Sequence, residues 1–234
     1  MESLFRRLAS VFGALGRDLE ILVMDDCSPD ATGRLAQRLA MDLDLPVRVH
    51  ARGGPRSMGR AIVEGIRRSD GDLVCVIDAD LSHPPETIPD LLQALDGADG
   101  VIASRYVAGG AIIGWTRMRR IVSWGATALS RPLIQTACRD PLSGFFLFRR
   151  SALAGLAMTG IGNKPLLEIL SQRRLIVHEI PYAFHNREHG MSKLGPAGFV
   201  DFSRLLGHLV AQLVRAGSGS PRYPRDLAVD AQEP

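Results

Sequence analysis

The segment VCVIDADLSHPPE, Val74 to Glu86, ends an apolar run on two carboxylates one residue apart, Asp78 and Asp80. In an extended segment such neighbours share a face, so both can aim at one point just past a strand. Two carboxylates that close repel each other unless a cation neutralises them. A hard divalent ion, Mg²⁺ or Mn²⁺, takes oxygen ligands and leaves positions open for a diphosphate. D-x-D is also common in surface turns. The buried-looking strand before it, and a second pair of acids closing LEILVMDD, favour a metal–diphosphate site here. In that second segment Asp25, Asp26, Ser28 and Asp30 spell D-D-x-S-x-D. Asp25 or Asp26 suits a hydrogen bond from a nucleobase or ribose. Asp30 suits a helix cap, and Ser28 the turn itself.

Cations follow the same logic. Arg105 comes just after GVIAS, and Arg187 and Lys193 lie in HNREHGMSKLG. Each alone is an ordinary solvated charge. Together, on loops at one edge of a sheet, they suit phosphate binding. His185 and His189 are four apart, but Glu188 is misplaced for HExxH and no metal role is expected. Between Arg117 and Trp124, Arg117, Arg119 and Arg120 alternate with Met118, Ile121 and Val122. This stretch reads either as a packed helix with a basic side or as a helix lying in a membrane interface.

The elements that must place these groups are legible from periodicity. Leu4, Leu8, Val11, Phe12 and Leu15 recur at helical spacing. LEILVMDD then reads as a strand buried on both faces. A helix over 30–43 follows, then a strand at PVRVHA and a helix over 58–68. DLVCVID is the next strand, followed by a helix over 85–95 and a strand at GVIAS. This alternation predicts an α/β fold with a mainly parallel sheet flanked by helices. Ligands bind beyond the C-terminal ends of such strands, where Asp25, Asp26, Asp78 and Asp80 all fall. GFFLFR and LIVHEIPYAF read as later strands, and 196–215 as an amphipathic helix. The tail over 217–234 is rich in Gly, Ser and Pro and reads as disordered.

Hydrophobic residues make up 46% and charged residues 23% of the 234, the balance of a globular protein with a core. The net charge of +3 does not suggest a nucleic-acid partner. Cys27, Cys75 and Cys138 are odd in number and form no CxxC pair, which fits a reducing cytosol. The N-terminus lacks the pattern of a signal peptide, and no apolar run reaches the ~18 residues of a transmembrane span.

Seven segments taken in order carry a resemblance: EILVMDDCSPDAT, GDLVCVIDADLSHPPETIPDLL, SRYVAGG, GWTRMRRIVSWGATAL, RDPLSGFFLFRRSAL, LLEIL and EIPYAFHNREHGMSKLG. From about Asp18 to Gly195 the chain resembles family 2 glycosyltransferases, specifically the dolichol- (polyprenol-) phosphate mannose synthase group. The resemblance implies a GT-A (Rossmann-like) fold over 1–216. It implies inverting transfer of a sugar, most simply mannose from GDP-mannose, to a polyprenyl monophosphate on the cytosolic face of a membrane. Asp78, Asp80 and Ser82 would hold Mg²⁺ or Mn²⁺; Ser82 stands where many members have Gln. Asp25, Asp78, Ala79, Asp80, Arg105, Arg187 and Lys193 would bind the donor, with Asp80 and Arg105 at the reacting centre. Arg117, Arg119 and Arg120 would meet the acceptor phosphate, and residues 111–125 would attach the protein peripherally. The family's opening strand with its P-x-Y-N-E motif has no counterpart here, which implies an exposed sheet edge and a reduced donor pocket. Two alternatives are a family 2 enzyme with another donor or acceptor, and an inactive truncated homologue. A HAD-type phosphohydrolase also uses D-x-D after a strand, but needs Thr or Val where Ser82 stands.

Overall fold

The structure is a computed structural model that describes residues 1–16, 18–26, 32–186 and 196–215. The chain opens with α1 (Glu2–Leu15), β1 (Ile21–Asp25), α2 (Thr32–Asp42), β2 (Val47–Ala51), α3 (Met58–Arg68) and β3 (Leu73–Val76). It continues with α4 (Ile88–Gln93), β4 (Gly100–Ser104), β5 (Ala111–Ile113), α5 (Arg117–Ser130), β6 (Phe146–Arg149) and α6 (Arg150–Leu153). It closes with α7 (Pro165–Gln172), β7 (Val177–Pro181), β8 (Ala183–His185) and α8 (Pro196–Arg215). The helix expected over 85–95 starts as a 3-10 turn at Pro85–Thr87 before becoming α4; Pro89 lacks the N–H that would close an α turn back to Pro85. LIVHEIPYAF breaks into β7 and β8 at Tyr182.

β1 pairs in parallel with β2, β4 with β7, and β5 with β8. β6 runs antiparallel to both β3 and β4, giving the order β3-β6-β4-β7. Sequence periodicity does not reveal this reversal, since Phe146, Leu147 and Phe148 are buried on both faces, as a parallel strand's residues would be. Alternate residues then divide between two layers. Ile102, Phe146, Phe148 and Val74 face α3, α7 and α8. Val101, Ala103 and Leu147 face α1 and α4.

Among the described residues β1 bonds to β2 alone and β3 to β6 alone, so the sheet is interrupted between β1 and β3. Side chains cross the seam instead. Glu20 accepts from the backbone N–H groups of Asp70 and Gly71, and Arg48 pairs with Glu20 and Asp70. Ile21 packs into the same layer as Leu73, Cys75 and Ile77 beneath α1. α1 is capped by Gly16 in the left-handed region, φ 57°, which a Cβ disfavours. No helix among the described residues is long and apolar enough to cross a membrane.

Candidate active site

β3 ends at Val76, so Asp78 and Asp80 stand on the turn that follows rather than on the strand itself. Both are half-buried and Ala79 between them is exposed. Leu81 takes φ 63°, a rare conformation for an L-residue, and bends the chain back under the acids. Ser82 is buried, and its backbone N–H (3.1 Å) and hydroxyl (2.5 Å) both donate to Asp80 Oδ1. In this turn the hydroxyl of Ser82, one of the three residues the sequence assigns to the metal, lies on the Asp80 carboxylate and so orients it. His83 is 2% exposed, and its Nδ1 accepts the Asp78 backbone N–H at 3.0 Å. Burial lowers the His83 pKa, opposed by the charges of Asp78 and Asp80 and reinforced by those of Arg105 and Lys164.

Arg105 follows β4 and is clamped by Asp140. Its backbone N–H donates at 3.0 Å, and Nε and Nη2 donate at 2.7 Å each. Both side chains are buried, Asp140 completely. Burial by itself would lower the Arg105 pKa, and Asp140 more than offsets it, so Arg105 is raised and stays cationic. The loop bearing Asp140 is anchored from β7. Glu179 accepts from the Arg139 and Asp140 N–H groups at 2.7 and 3.0 Å, and Ser143 Oγ donates to the Ala103 carbonyl at 2.7 Å. Lys164, just before α7, donates to the Leu142 carbonyl at 3.0 Å.

At β1 the two acids separate in role. Asp26 is engaged by Arg52 and by the Ser57 backbone N–H, and so braces the entry to α3. Asp25 faces the first turn of α2, where a Cβ on Gly33 would come within 2.8 Å of its Oδ2. Only a glycine leaves that carboxylate its place. Ser28, Asp30, Arg187, His189 and Lys193 lie outside the described residues.

An aromatic wall joins the turn after β3 to α5. His83 stacks on Phe145 at 5.4 Å, Phe184 meets both His83 and Trp115, and the Arg119 guanidinium lies 4.0 Å from the Trp115 ring centre. The Arg105 guanidinium is 5.8 Å from the same ring. Arg119 Nη1 also donates to Asn186 at 3.0 Å, and Arg120 Nη2 to the Ile112 carbonyl at 2.8 Å. Arg119 is therefore brought toward Arg105, whereas Arg117 is exposed.

The orientation of α5 reverses the usual one. Its inward side is small and polar: Thr127 and Ser130 are buried, and the Tyr106 hydroxyl donates to Ser123 Oγ at 2.9 Å. Its outward side is apolar, with Met118 (69%), Ile121 (63%), Trp124 (63%) and Leu129 (65%) exposed. Trp115, read from sequence as part of the attaching segment, is turned inward because it precedes the Thr116 cap and packs on Phe184.

Sequence reasoning missed His83, Asp140 and Lys164. The signal for Asp140 was present in RDPLSG, but nothing local shows that its partner is 35 residues upstream. Cys75 and Cys138 are free, and burial pushes the Cys75 thiol up to about 12 and Cys138 well above its ordinary value. Neither is a ready nucleophile.

A family model described as glycosyl transferase family 2 matches residues 2–156. The chain is 38% identical to the dolichol-phosphate mannosyltransferase of Pyrococcus furiosus over 90% of its own length and 60% of that protein's. It is 39% identical to the polyprenol monophosphomannose synthase of Mycolicibacterium smegmatis over 75% of this chain and 70% of that one. The Saccharomyces cerevisiae dolichol-phosphate mannosyltransferase is 30% identical over 87% of this chain and 79% of its own. Among solved structures, mannosyl-3-phosphoglycerate synthase from Rubrobacter xylanophilus superposes with a TM-score of 0.61 at 17% identity, covering 96% of this chain and 71% of that one. A mannosyltransferase from Pyrobaculum calidifontis, solved with GDP-Man and Mn²⁺, gives 0.59 at 17% identity, covering 95% and 63%. At such identities the structures show the fold, GT-A, and no more.

Proposed function

Because this chain belongs to glycosyl transferase family 2, we propose that it moves mannose from GDP-mannose onto a polyprenyl monophosphate, with inversion at the sugar carbon. The chain spans about 60% of the length of its Pyrococcus relative, and the activity is proposed for residues 1–216 as the catalytic domain. The observation that carries the reading is the turn after β3, where two half-exposed carboxylates stand together on a rigidly buried support.

The donor set fits a hard divalent cation, Mg²⁺ or Mn²⁺. Asp78 and Asp80 supply two carboxylates, and no cluster of three or more candidate ligands occurs among the described residues. The remaining positions suit diphosphate oxygens and water. When bound, such an ion neutralises charge that develops on the leaving diphosphate.

The rest falls to the chain's own residues. The acceptor is already an anion, so its oxygen attacks without a strong general base. What is needed is alignment of two anionic reactants and fixed positive charge around them. Arg105, just after β4, is held cationic by Asp140. Arg119 and Arg105 both approach the Trp115 ring, at 4.0 and 5.8 Å from its centre, which supports assigning Arg119, with Arg117 and Arg120, to the acceptor phosphate. We assign Asp25 and Ala79, with Arg187 and Lys193, to the donor. Asp25 ends the strand beyond the seam, and the two cations are supported by residue type and family order. The outward apolar face of α5, flanked by Arg117 and Arg120, supports a lipid acceptor taken at a membrane surface. Free thiols at Cys75 and Cys138 suit its cytosolic side.

The test is transfer of label from GDP-[¹⁴C]mannose into the organic phase, with polyprenyl phosphate and Mn²⁺ or Mg²⁺ present. D78N and D80N should abolish it. Label that never leaves the aqueous phase, or transfer that survives D80N, would defeat the reading.

A further inference from the structure

We propose that His83 is a positioning residue for the cation site, holding the Asp78 carboxylate in register with Asp80 through its acceptor bond to the Asp78 backbone. This rests on the donor-site reading above. The bond runs from the Asp78 N–H to His83 Nδ1 at 3.0 Å. An accepting Nδ1 places the ring proton of the neutral imidazole on Nε2.

The ring has little freedom to leave. It is 2% exposed and stacks on Phe145 at 5.4 Å with an interplanar angle of 24°. Tyr182 and Phe184 meet it edge-on at 5.9 and 5.8 Å. Gly144 completes the enclosure, since a Cβ there would lie 3.0 Å from the His83 Cε1. These neighbours come from the loop before β6 and from the β7–β8 junction, so the ring's position is set by the tertiary fold, not by its own turn. The turn adapts to it, with Leu81 at φ 63°. Ser82 supports Asp80 from the other direction, donating its N–H and hydroxyl to the carboxylate itself. Each acid of D-x-D thus has its own buried anchor, and the two anchors are consecutive residues.

Three variants separate anchoring from packing. H83F keeps an aromatic ring and removes the acceptor. H83N removes the ring but keeps an amide oxygen near the place of Nδ1. H83A lacks both and stands in for H83F should that variant not fold. Mn²⁺ affinity is read by electron paramagnetic resonance with GDP present, below the melting temperature of every variant. Loss of a group that orients a metal ligand typically weakens metal binding about 10–100-fold. H83F should show that loss while H83N stays close to wild type. Without metal, hydrogen exchange at the Asp78 amide should be slow in wild type and H83N and faster in H83F. H83F equal to wild type in both readouts, or H83N as weak as H83F, overturns the inference while leaving the donor site standing. Wild-type protein that takes up no Mn²⁺ overturns the donor-site reading and this inference with it.

Discussion

Asp140→Ala would leave Arg105 as a buried cation with no counter-charge. Asp140 is fully buried, the Arg105 side chain is 6% exposed, and three hydrogen bonds join the two residues. Removing one member of such a pair typically costs about 3–5 kcal/mol, because the remaining charge keeps its desolvation penalty. Against a total stability of about 5–15 kcal/mol, that is a large fraction. For a chain of this size it corresponds to a fall in melting temperature of roughly 6–20 °C. Urea denaturation followed by circular dichroism should show a lower midpoint with the slope unchanged. The double variant R105L/D140L should recover most of the loss, since a buried pair and a well-packed apolar replacement are often nearly equal in energy. A D140A loss below about 1 kcal/mol would refute the claim that Asp140 is what makes Arg105 tolerable there, because that is the scale of an exposed pair.

Two further outcomes follow from the same geometry. Serine at both Ile121 and Trp124 should strip the protein from anionic vesicles in a flotation assay, each large apolar side chain being worth about 1.5–3 kcal/mol when buried. The matching pair L35S/M41S, exposed on α2, should float as wild type does, and equal loss from both pairs would contradict a docking face on α5. For pH, Arg68, then Arg52 and His50, hold the Glu64 carboxyl down from 4.5 to about 2. Its folded pKa lies below its unfolded one, so its contribution is complete above pH 4.5 and disappears as pH falls toward 2. The stability difference between wild type and E64Q should shrink across that window, and parallel acid limbs would contradict the assignment.

Much of the fold was legible because its signals are local. β1, β2, β4 and α3 lie where apolar runs and helical spacing put them. The D-x-D turn was legible because two like charges after an apolar strand need a reason. The reversal of β6 was not, since a strand buried on both faces carries no mark of its direction. The facing of α5 was not either. Its apolar stripe is plain, but a stripe seeks any apolar medium, and only packing shows that Thr127 and Ser130 point inward while Ile121 and Trp124 point out. Trp115 shows the same gap in reverse: an exposed-looking aromatic was claimed by Phe184, 69 residues downstream.

For the site, residue chemistry by itself pointed to a cation for Asp78 and Asp80 and to an anion for Arg105, because charge type belongs to the side chain. Which anion Arg105 meets, which atom pins Asp78, and which of Asp25 and Asp26 is committed to bracing α3 were decided only by tertiary structure. Each of those answers is a contact between residues distant in sequence: Asp140 with Arg105, Phe145 beneath His83, Arg52 on Asp26. Contacts of that kind depend on which strands become neighbours, and no local pattern in the chain encodes it.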